Sequence, residues 1–315
     1  MKILDRHEID AALDKDTVIK AVREAFVSHS QGHIQSPSPL HMTFRDEAGL
    51  RTGDCHVKSA HSNHHKVIAI KVAIGMYKNA EKGVPVNNGL VLLLSRETGE
   101  PVALLQDEGL LTTYRTAAAG AIASGLASTK ADDVLGIVGT GNQAFHQAEW
   151  TTHYLGLKKV MVFGRSTAKA ADLTSKLSAH GLSAVRADSV AQLCANCRIV
   201  ITTTPASDPI IMASDLPDGP RTNIHFVAVG ADTHGKQELD AEILARAATV
   251  VADDLKQCLD HGDLAAANAL GLIDPDQIVS LGSALAKGLS ITEGVSVADL
   301  TGLGAQDLAI ATLVT

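Results

Sequence analysis

The hydrophobic pattern of the chain changes period twice, and each change marks a new kind of structure. Behind an acidic cap, residues 15–30 (Asp16-Thr-Val-Ile-Lys-Ala-Val-Arg-Glu-Ala-Phe26 and onward) carry apolar residues at helical spacing and predict an amphipathic helix. Gln35-Ser-Pro-Ser-Pro-Leu40 predicts an extended entry into a strand region. Short apolar runs then follow at 56–60, 67–74, 89–95 and 101–106, separated by turns such as Glu97-Thr-Gly-Glu100. Close spacing and tight turns predict an antiparallel sheet. Residues 111–126 are dominated by Ala and Gly, which predicts a helix that its neighbours can approach closely.

From residue 134 the pattern becomes a strand–helix alternation. Strands are expected at 134–139, 159–164, 183–187, 199–204, 225–230 and 249–253, with helices at 144–155, 167–180, 189–196 and 238–247. Such alternation predicts a parallel sheet with right-handed crossovers. An apolar segment at 300–311 predicts a terminal helix that docks back on the first domain.

The first of these strands ends in Gly139-Thr-Gly-Asn-Gln-Ala144. One glycine permits a tight turn, the second lets backbone approach a pyrophosphate, and the small third residue lets helix pack on strand. A strand–glycine turn–helix inside an alternating sheet predicts a nicotinamide dinucleotide site. The expected fold class is therefore α/β: a Rossmann-type parallel-sheet domain over 129–299, plus a discontinuous α+β substrate-binding and dimerisation domain over 1–128 with 300–315. Ligands of such sheets lie beyond the carboxyl ends of the strands. This makes Gly139, Thr140, Gly141, Thr203, Thr204, Val229 and Gly230 candidate cofactor contacts. Strand two ends in Gly164-Arg165-Ser166, where an acidic residue would favour NAD through the ribose hydroxyls. Arg165 and Ser166 suit a 2′-phosphate and point to NADP rather than NAD, although Arg165 could instead stack on adenine or face solvent.

Composition narrows the class further. A chain of 315 residues, 45% hydrophobic and only 3% aromatic, packs two cores from Ala, Val, Leu and Ile. A formal charge of −8 speaks against nucleic-acid binding. The charged first ten residues show no apolar signal core, and no run approaches a membrane span, so a soluble cytoplasmic protein without membrane partners is expected. Four cysteines make no disulfide framework. Cys194-Ala-Asn-Cys197 reads as two small residues of a helix rather than a redox or zinc motif. His56, His61, His64 and His65 are expected in a polar connector without a companion carboxylate, and no metal is expected.

Three charged residues stand in apolar settings. Lys71 interrupts Val67-Ile-Ala-Ile-Lys-Val-Ala-Ile74 and needs an anionic partner or ligand. Arg115, expected in the first turn of the Ala-rich helix, offers a planar fork for a carboxylate. Asp232 follows the strand 225–230, at the rim where a nicotinamide is expected. Each is individually compatible with a structural role. Together they describe a site for a zwitterionic amino or imino acid.

As an ordered set, the motifs resemble the ornithine cyclodeaminase/mu-crystallin family along nearly the whole chain. They are His56-Val-Lys-Ser-Ala60, the Lys71 strand, Gly89-Leu-Val-Leu-Leu-Leu94 with Thr98-Gly-Glu-Pro101, and Leu111 through Arg115-Thr-Ala-Ala118. Gly139–Ala144, Gly230-Ala-Asp232 with Gly235-Lys-Gln-Glu-Leu-Asp240, His261-Gly-Asp-Leu264 and Gly304-Ala-Gln-Asp307 complete the set. The resemblance implies a homodimer whose first domain supplies the interface, the small-residue helix included, and the substrate pocket. It implies Asp232 and Lys71 as catalytic residues and Arg115, His41, Lys58 and Gly302 as substrate-binding residues. It adds Asn142, Gln143, Lys236 and Thr301 to the cofactor contacts. His41 stands where family members with amino-acid chemistry often carry an arginine, which implies different head-group recognition. The activity implied is NAD(P)H-dependent reduction of a small 2-imino carboxylate to an L-amino acid. The alternatives are conversion of ornithine to proline and ammonia, and a non-catalytic, crystallin-like NADPH-binding protein.

Overall fold

The computed structural model describes residues 1–217 and 223–315, and these residues form two compact units. One unit comprises Met1–Arg115 with Leu303–Thr315, and the other Thr116–Gly302. The division falls inside the Ala-rich helix, whereas the sequence pattern places it near residue 128, because helical periodicity carries no information about which neighbours each turn meets.

In the first unit the described residues build a seven-stranded sheet. Its strands are β1 (Lys2–Asp5), β2 (Ile34–Gln35), β3 (Leu40–Arg45), β4 (Arg51–Ser62), β5 (Val67–Met76), β6 (Asn87–Ser95) and β7 (Pro101–Gln106). The path is β1-β7-β6-β5-β4-β2, with β3 also on β4, and every pairing is antiparallel except β1 on β7. Helix α1 (Arg6–Ala11) is closed by an Asp5–Glu8 capping box, and α2 (Lys15–Ser30) is capped by Asp14, whose side chain accepts from Thr17 N–H. Val18, Ile19, Val22 and Phe26 bury the apolar stripe of α2. The C-terminal helix Gly304–Thr312 packs on α2, β4 and β5 and is buried from Gly304 to Ala311. Helix α3 (Leu110–Ser124) opens at Asp107, whose carboxylate accepts from Leu111 N–H at 2.8 Å.

Two expectations are corrected here. His56 and His61 belong to β4, with only His64 and His65 in the turn beyond it, and Asp54 supplies a carboxylate 3.7 Å from His56. The small-residue face of α3 is already covered within the chain, since Ala117, Ala118, Ala121, Ile122 and Ala123 are fully buried, so this helix is not an open dimer surface.

The second unit is a parallel sheet with helical crossovers. In chain order it contains β8 (Val134–Val138), α4 (Asn142–Leu155), β9 (Lys159–Phe163), α5 (Thr167–Ala179), β10 (Ser183–Arg186), α6 (Val190–Asn196), β11 (Ile199–Thr202) and β12 (Ile224–Ala228). It continues with α7 (Ala241–Arg246), β13 (Thr249–Ala252), α8 (Leu255–His261), α9 (Asp263–Ala269), β14 (Val279–Ser280), α10 (Leu281–Ala286) and β15 (Val295–Asp299). The helix Gly304–Thr312 of the first unit is α11. Among the described residues the strand order is β10-β9-β8-β11-β12-β15-β13-β14, and all pairings are parallel. The order reverses at β8, with β9 on one side and β11 on the other, which opens a crevice above the carboxyl end of β8. No helix among the described residues is long and apolar enough to cross a membrane.

Candidate functional site

The crevice carries the features of a dinucleotide cradle. Gly139 holds φ at +125°, and a Cβ there would run into Thr203 Oγ1, so the turn admits only glycine. Gly141 caps α4 without a side-chain hydrogen bond, and the space a Cβ would occupy is open. The capping position of this fourteen-residue helix therefore contributes no side chain at the positive end of the helix dipole. Thr140 and Gln143 are half-buried and Gly141 and Asn142 exposed, while Ala144 is buried against the sheet. These residues fit a pyrophosphate by geometry as well as by sequence.

The neighbouring loops are held by a residue that the sequence pattern did not single out. The Glu238 carboxylate accepts from Thr202 Oγ1 at 2.7 Å, Thr204 N at 2.5 Å, Thr204 Oγ1 at 2.8 Å and Gly230 N at 2.7 Å. One buried side chain thus ties the ends of β11 and β12 together and shapes the loops bearing Thr203, Thr204, Val229 and Gly230. Asp263 accepts from Glu238 N and Leu239 N, both at 2.8 Å, and Asp299 accepts from Leu264 N at 2.9 Å. Burial, then the neighbouring Glu238 charge, pushes the Asp263 carboxyl up to about 7. Burial and the charge of Asp263 raise Asp299 well above the usual carboxylate range. Glu238 is also raised by burial, against the hydrogen bonds that favour its ionised form. No spacing rule connects these three acids, which come from the loop after β12, the start of α9 and the end of β15.

Asp232 lies in the loop beyond β12, partly exposed, with Lys236 Nζ donating to its Oδ1 at 2.6 Å. Lys236, expected on the cofactor, thus has a protein partner. Thr301 is buried, and its N–H and hydroxyl donate to Asp253 Oδ1 at 3.1 and 3.0 Å; Gly302 N–H donates to Asp253 Oδ2 at 2.6 Å. Asp253 is therefore the residue that orients this segment. Arg165 and Ser166 are exposed beyond β9, and the Ser166 hydroxyl caps α5 by accepting from Lys169 N–H at 3.3 Å. That bond uses the oxygen as acceptor and leaves its proton available for donation.

The first unit gathers the cations. Lys71 on β5 lies directly across from Lys58 on β4, and the two side chains are only 3% and 6% exposed. Arg115 lies in the second turn of α3 rather than the first, and is 7% exposed. Asp307 of α11 answers them, with Oδ2 at 3.2 Å from Lys71 Nζ and Oδ1 at 3.4 Å from Arg115 Nε. Gln306 Oε1 accepts from Arg115 at 3.0 Å and from Leu303 N–H at 2.8 Å, leaving Gln306 Nε2 buried without a hydrogen-bond partner. Burial first, then the positive charges of Arg115 and Lys58, lower the Lys71 ammonium to about 7 in spite of Asp307. Nearby Asp107 is also buried, which raises its pKa. Lys71 and Arg115 thus share the carboxylate of Asp307, with Lys58 across the strands and Asp107 nearby. Buried cationic side chains grouped in this way are suited to an anionic ligand.

His41 is exposed on β3, opposite His56 and edge-on to its ring at 4.5 Å. Burial pushes the Asp54 carboxyl up, but hydrogen bonds from His56 and Tyr77 with the charges of His56 and Arg51 outweigh it and hold it well below the usual range. Cys194 and Cys197 are buried free thiols pushed up to about 12 by burial, which suits core packing rather than redox chemistry.

The chain is 37% identical over 321 residues, covering 99% of it and 94% of the other protein, to an uncharacterized cyclodeaminase of Sinorhizobium fredii. It is 32% identical to the alanine dehydrogenase of Archaeoglobus fulgidus over 316 residues, covering 99% and 93% of the two chains. An archaeal alanine dehydrogenase dimer with bound NAD superposes with a TM-score of 0.88 at 30% identity, covering 100% of this chain and 94% of that one. The iminosuccinate reductase of Paracoccus denitrificans in complex with NAD+ gives 0.86 at 27% identity, covering 100% and 95%. The model of the ornithine cyclodeaminase/mu-crystallin family matches residues 1–315, and the chain belongs to that family.

Proposed function

We propose that this chain is an NAD(P)H-dependent reductase of a small 2-imino carboxylate, forming an L-amino acid by hydride addition at the α carbon. The observation that carries the reading is the grouping of the buried side chains of Lys58, Lys71 and Arg115 in the first unit, which suits a substrate carboxylate. The glycine cradle before α4 supports the nicotinamide half of the reaction, as do the NAD-bound relatives. An NAD(P)-dependent oxidoreductase is the class that both halves require.

In this reading a bound nicotinamide supplies the hydride, and the chain's own residues do the rest. Arg115 and Lys71 hold the carboxylate, with Asp307 fixing the direction of both cations. Lys58 adds charge, and Gln306 Nε2 is a further donor. Asp232 moves the proton at the substrate nitrogen: the C=N bond takes a hydride at carbon and a proton at nitrogen. Lys236 holds Asp232 in place. Glu238 keeps the β11 and β12 loops in the shape a dinucleotide needs, so that positioning is established before substrate arrives. Exposed Arg165 and Ser166 support a preference for NADPH. Exposed Leu40 and Met42 on β3, with Met76 and Tyr77, support a homodimer built through the first unit. Sedimentation as a single chain at micromolar concentration would remove that assembly.

The deciding experiment follows NADPH and NADH oxidation with 2-oxo acids plus ammonia or methylamine, and with cyclic ketimines. Oxidation that depends on both amine and carboxylate is expected. Conversion of ornithine to proline and ammonia without net change in NADH would assign cyclodeaminase chemistry instead. Tight NADPH binding with no turnover of any of these would assign a binding protein.

A further inference from the structure

Outside the cation cluster and the glycine cradle, the second unit brings together three side chains of metal-ligating type, one from a loop and two from the end of a helix. His234 sits between Asp232 and Lys236 in the loop after β12, while Asp260 and His261 end α8. His234 Nε2 is 3.2 Å and His261 Nδ1 3.0 Å from Asp260 Oδ2. The imidazole rings are 5.5 Å apart at 41°, and the three donor atoms all lie within 4.8 Å of one another. Two ligands bound at ~2.0–2.1 Å in a tetrahedral shell stand about 3.3 Å apart, so little movement separates this arrangement from a coordination sphere. His234 and Asp260 are exposed, whereas His261 is buried and holds the base of the site. Asp260 lies between the two rings at hydrogen-bonding distance, and a captured cation would take the place of those ring protons.

We propose that His234, Asp260 and His261 form a site for one divalent transition-metal ion of the zinc class, whose binding pins the Asp232–Lys236 loop to the end of α8. Two imidazoles and a carboxylate select zinc-like ions over magnesium or calcium, which prefer all-oxygen shells. Three protein ligands leave a fourth position open, for water. Because His234 lies between Asp232 and Lys236, the captured ion restricts the segment that carries their ion pair. The site stands independently of the reaction assigned above, since it rests on side chains that reaction does not use.

The test uses tag-free full-length chain, stripped with chelator and titrated calorimetrically with zinc chloride. Fourteen histidines make weak uptake elsewhere unavoidable, so the comparison is with Asp260→Asn and His234→Ala, both at exposed positions. The wild type is expected to bind one tight equivalent and each variant at least tenfold more weakly. Affinity unchanged in both variants, or no tight equivalent in the wild type, overturns the site. Hydrogen exchange then tests the clamp. Zinc should slow exchange in peptides covering 231–237 and 257–263 of the wild type and not of Asp260→Asn. If the 231–237 peptide exchanges at the same rate with and without zinc, the pinning is overturned.

Discussion

Asp307 Oδ2 stands 3.2 Å from Lys71 Nζ, both groups buried, so the C-terminal helix delivers the counter-charge to the middle strand of the first sheet. Removing that carboxylate takes away the group that buried Lys71 and Arg115 share. Asp307→Ala is expected to destabilise the protein by about 3–5 kcal/mol, the range for breaking a buried ion pair from one side. Asp307→Asn, which keeps the shape, should lose less. Denaturant unfolding checks both, and an Asp307→Ala protein as stable as wild type would show that the cations are neutralised some other way.

Lys71, at about 7, also sets a pH dependence. Below that pH the ammonium is charged and can bind a carboxylate; above it the charge is lost. KM for a carboxylate substrate should therefore be level below pH 7 and rise above it, by up to about tenfold per unit. Lys71→Arg keeps its charge throughout the range and should flatten the rise. A wild-type KM that does not change between pH 6 and 9 contradicts this assignment.

Asp232 is expected to act on the chemical step. Asp232→Asn preserves an acceptor for Lys236 but removes the base, so kcat should fall by about 10²–10⁴-fold while NAD(P)H affinity stays near wild type. Arg115→Ala should raise KM for the carboxylate substrate instead. Retention of more than about a third of wild-type kcat by Asp232→Asn, far outside that range, would remove Asp232 from the mechanism.

Cofactor preference tests the strand-two turn. Arg165→Asp should weaken NADPH binding by about 1–3 kcal/mol, the scale of a lost charge-assisted hydrogen bond, and leave NADH binding less affected. Tighter binding of NADH than NADPH by the wild type would mean that Arg165 does not read the 2′-phosphate.

The buried acids of the second unit predict a stability profile. Asp263 is raised from 3.8 to about 7, so between those values the folded state holds more protons than the unfolded state. The stabilisation is fully present below about pH 3.8 and is lost as pH rises through 7. Lys71 acts oppositely in a higher window, its contribution rising from about 7 to 10.5 because there the unfolded chain holds the extra proton. Asp263→Asn can still accept from Glu238 and Leu239 N–H, and should reduce the loss of stability between pH 5 and 7. An unchanged slope in urea unfolding across that interval would discount the raised carboxyl.

The sequence alone was enough to locate the strand Pro101–Gln106, the helix α2 and the turn Gly139–Ala144, because each is set by local chemistry: period, caps and the steric freedom of glycine. The short charged strand β1 escaped that logic, since its four residues become a strand only by pairing with β7. So did the placement of His56 and His61 within β4, where strand pairing outweighed their polar character. Charged partners were the least legible. Lys71 in an apolar strand announces that it needs an anion, but only closure of α11 over β4 and β5 selects Asp307. Glu238, Asp263 and Asp299 become one buried group, and His234 meets Asp260 and His261, only when loops, helix ends and a strand end of the second unit converge. Pattern records what each segment wants to bury, while the partners of its buried charges depend on register and chain closure, which are properties of the whole fold.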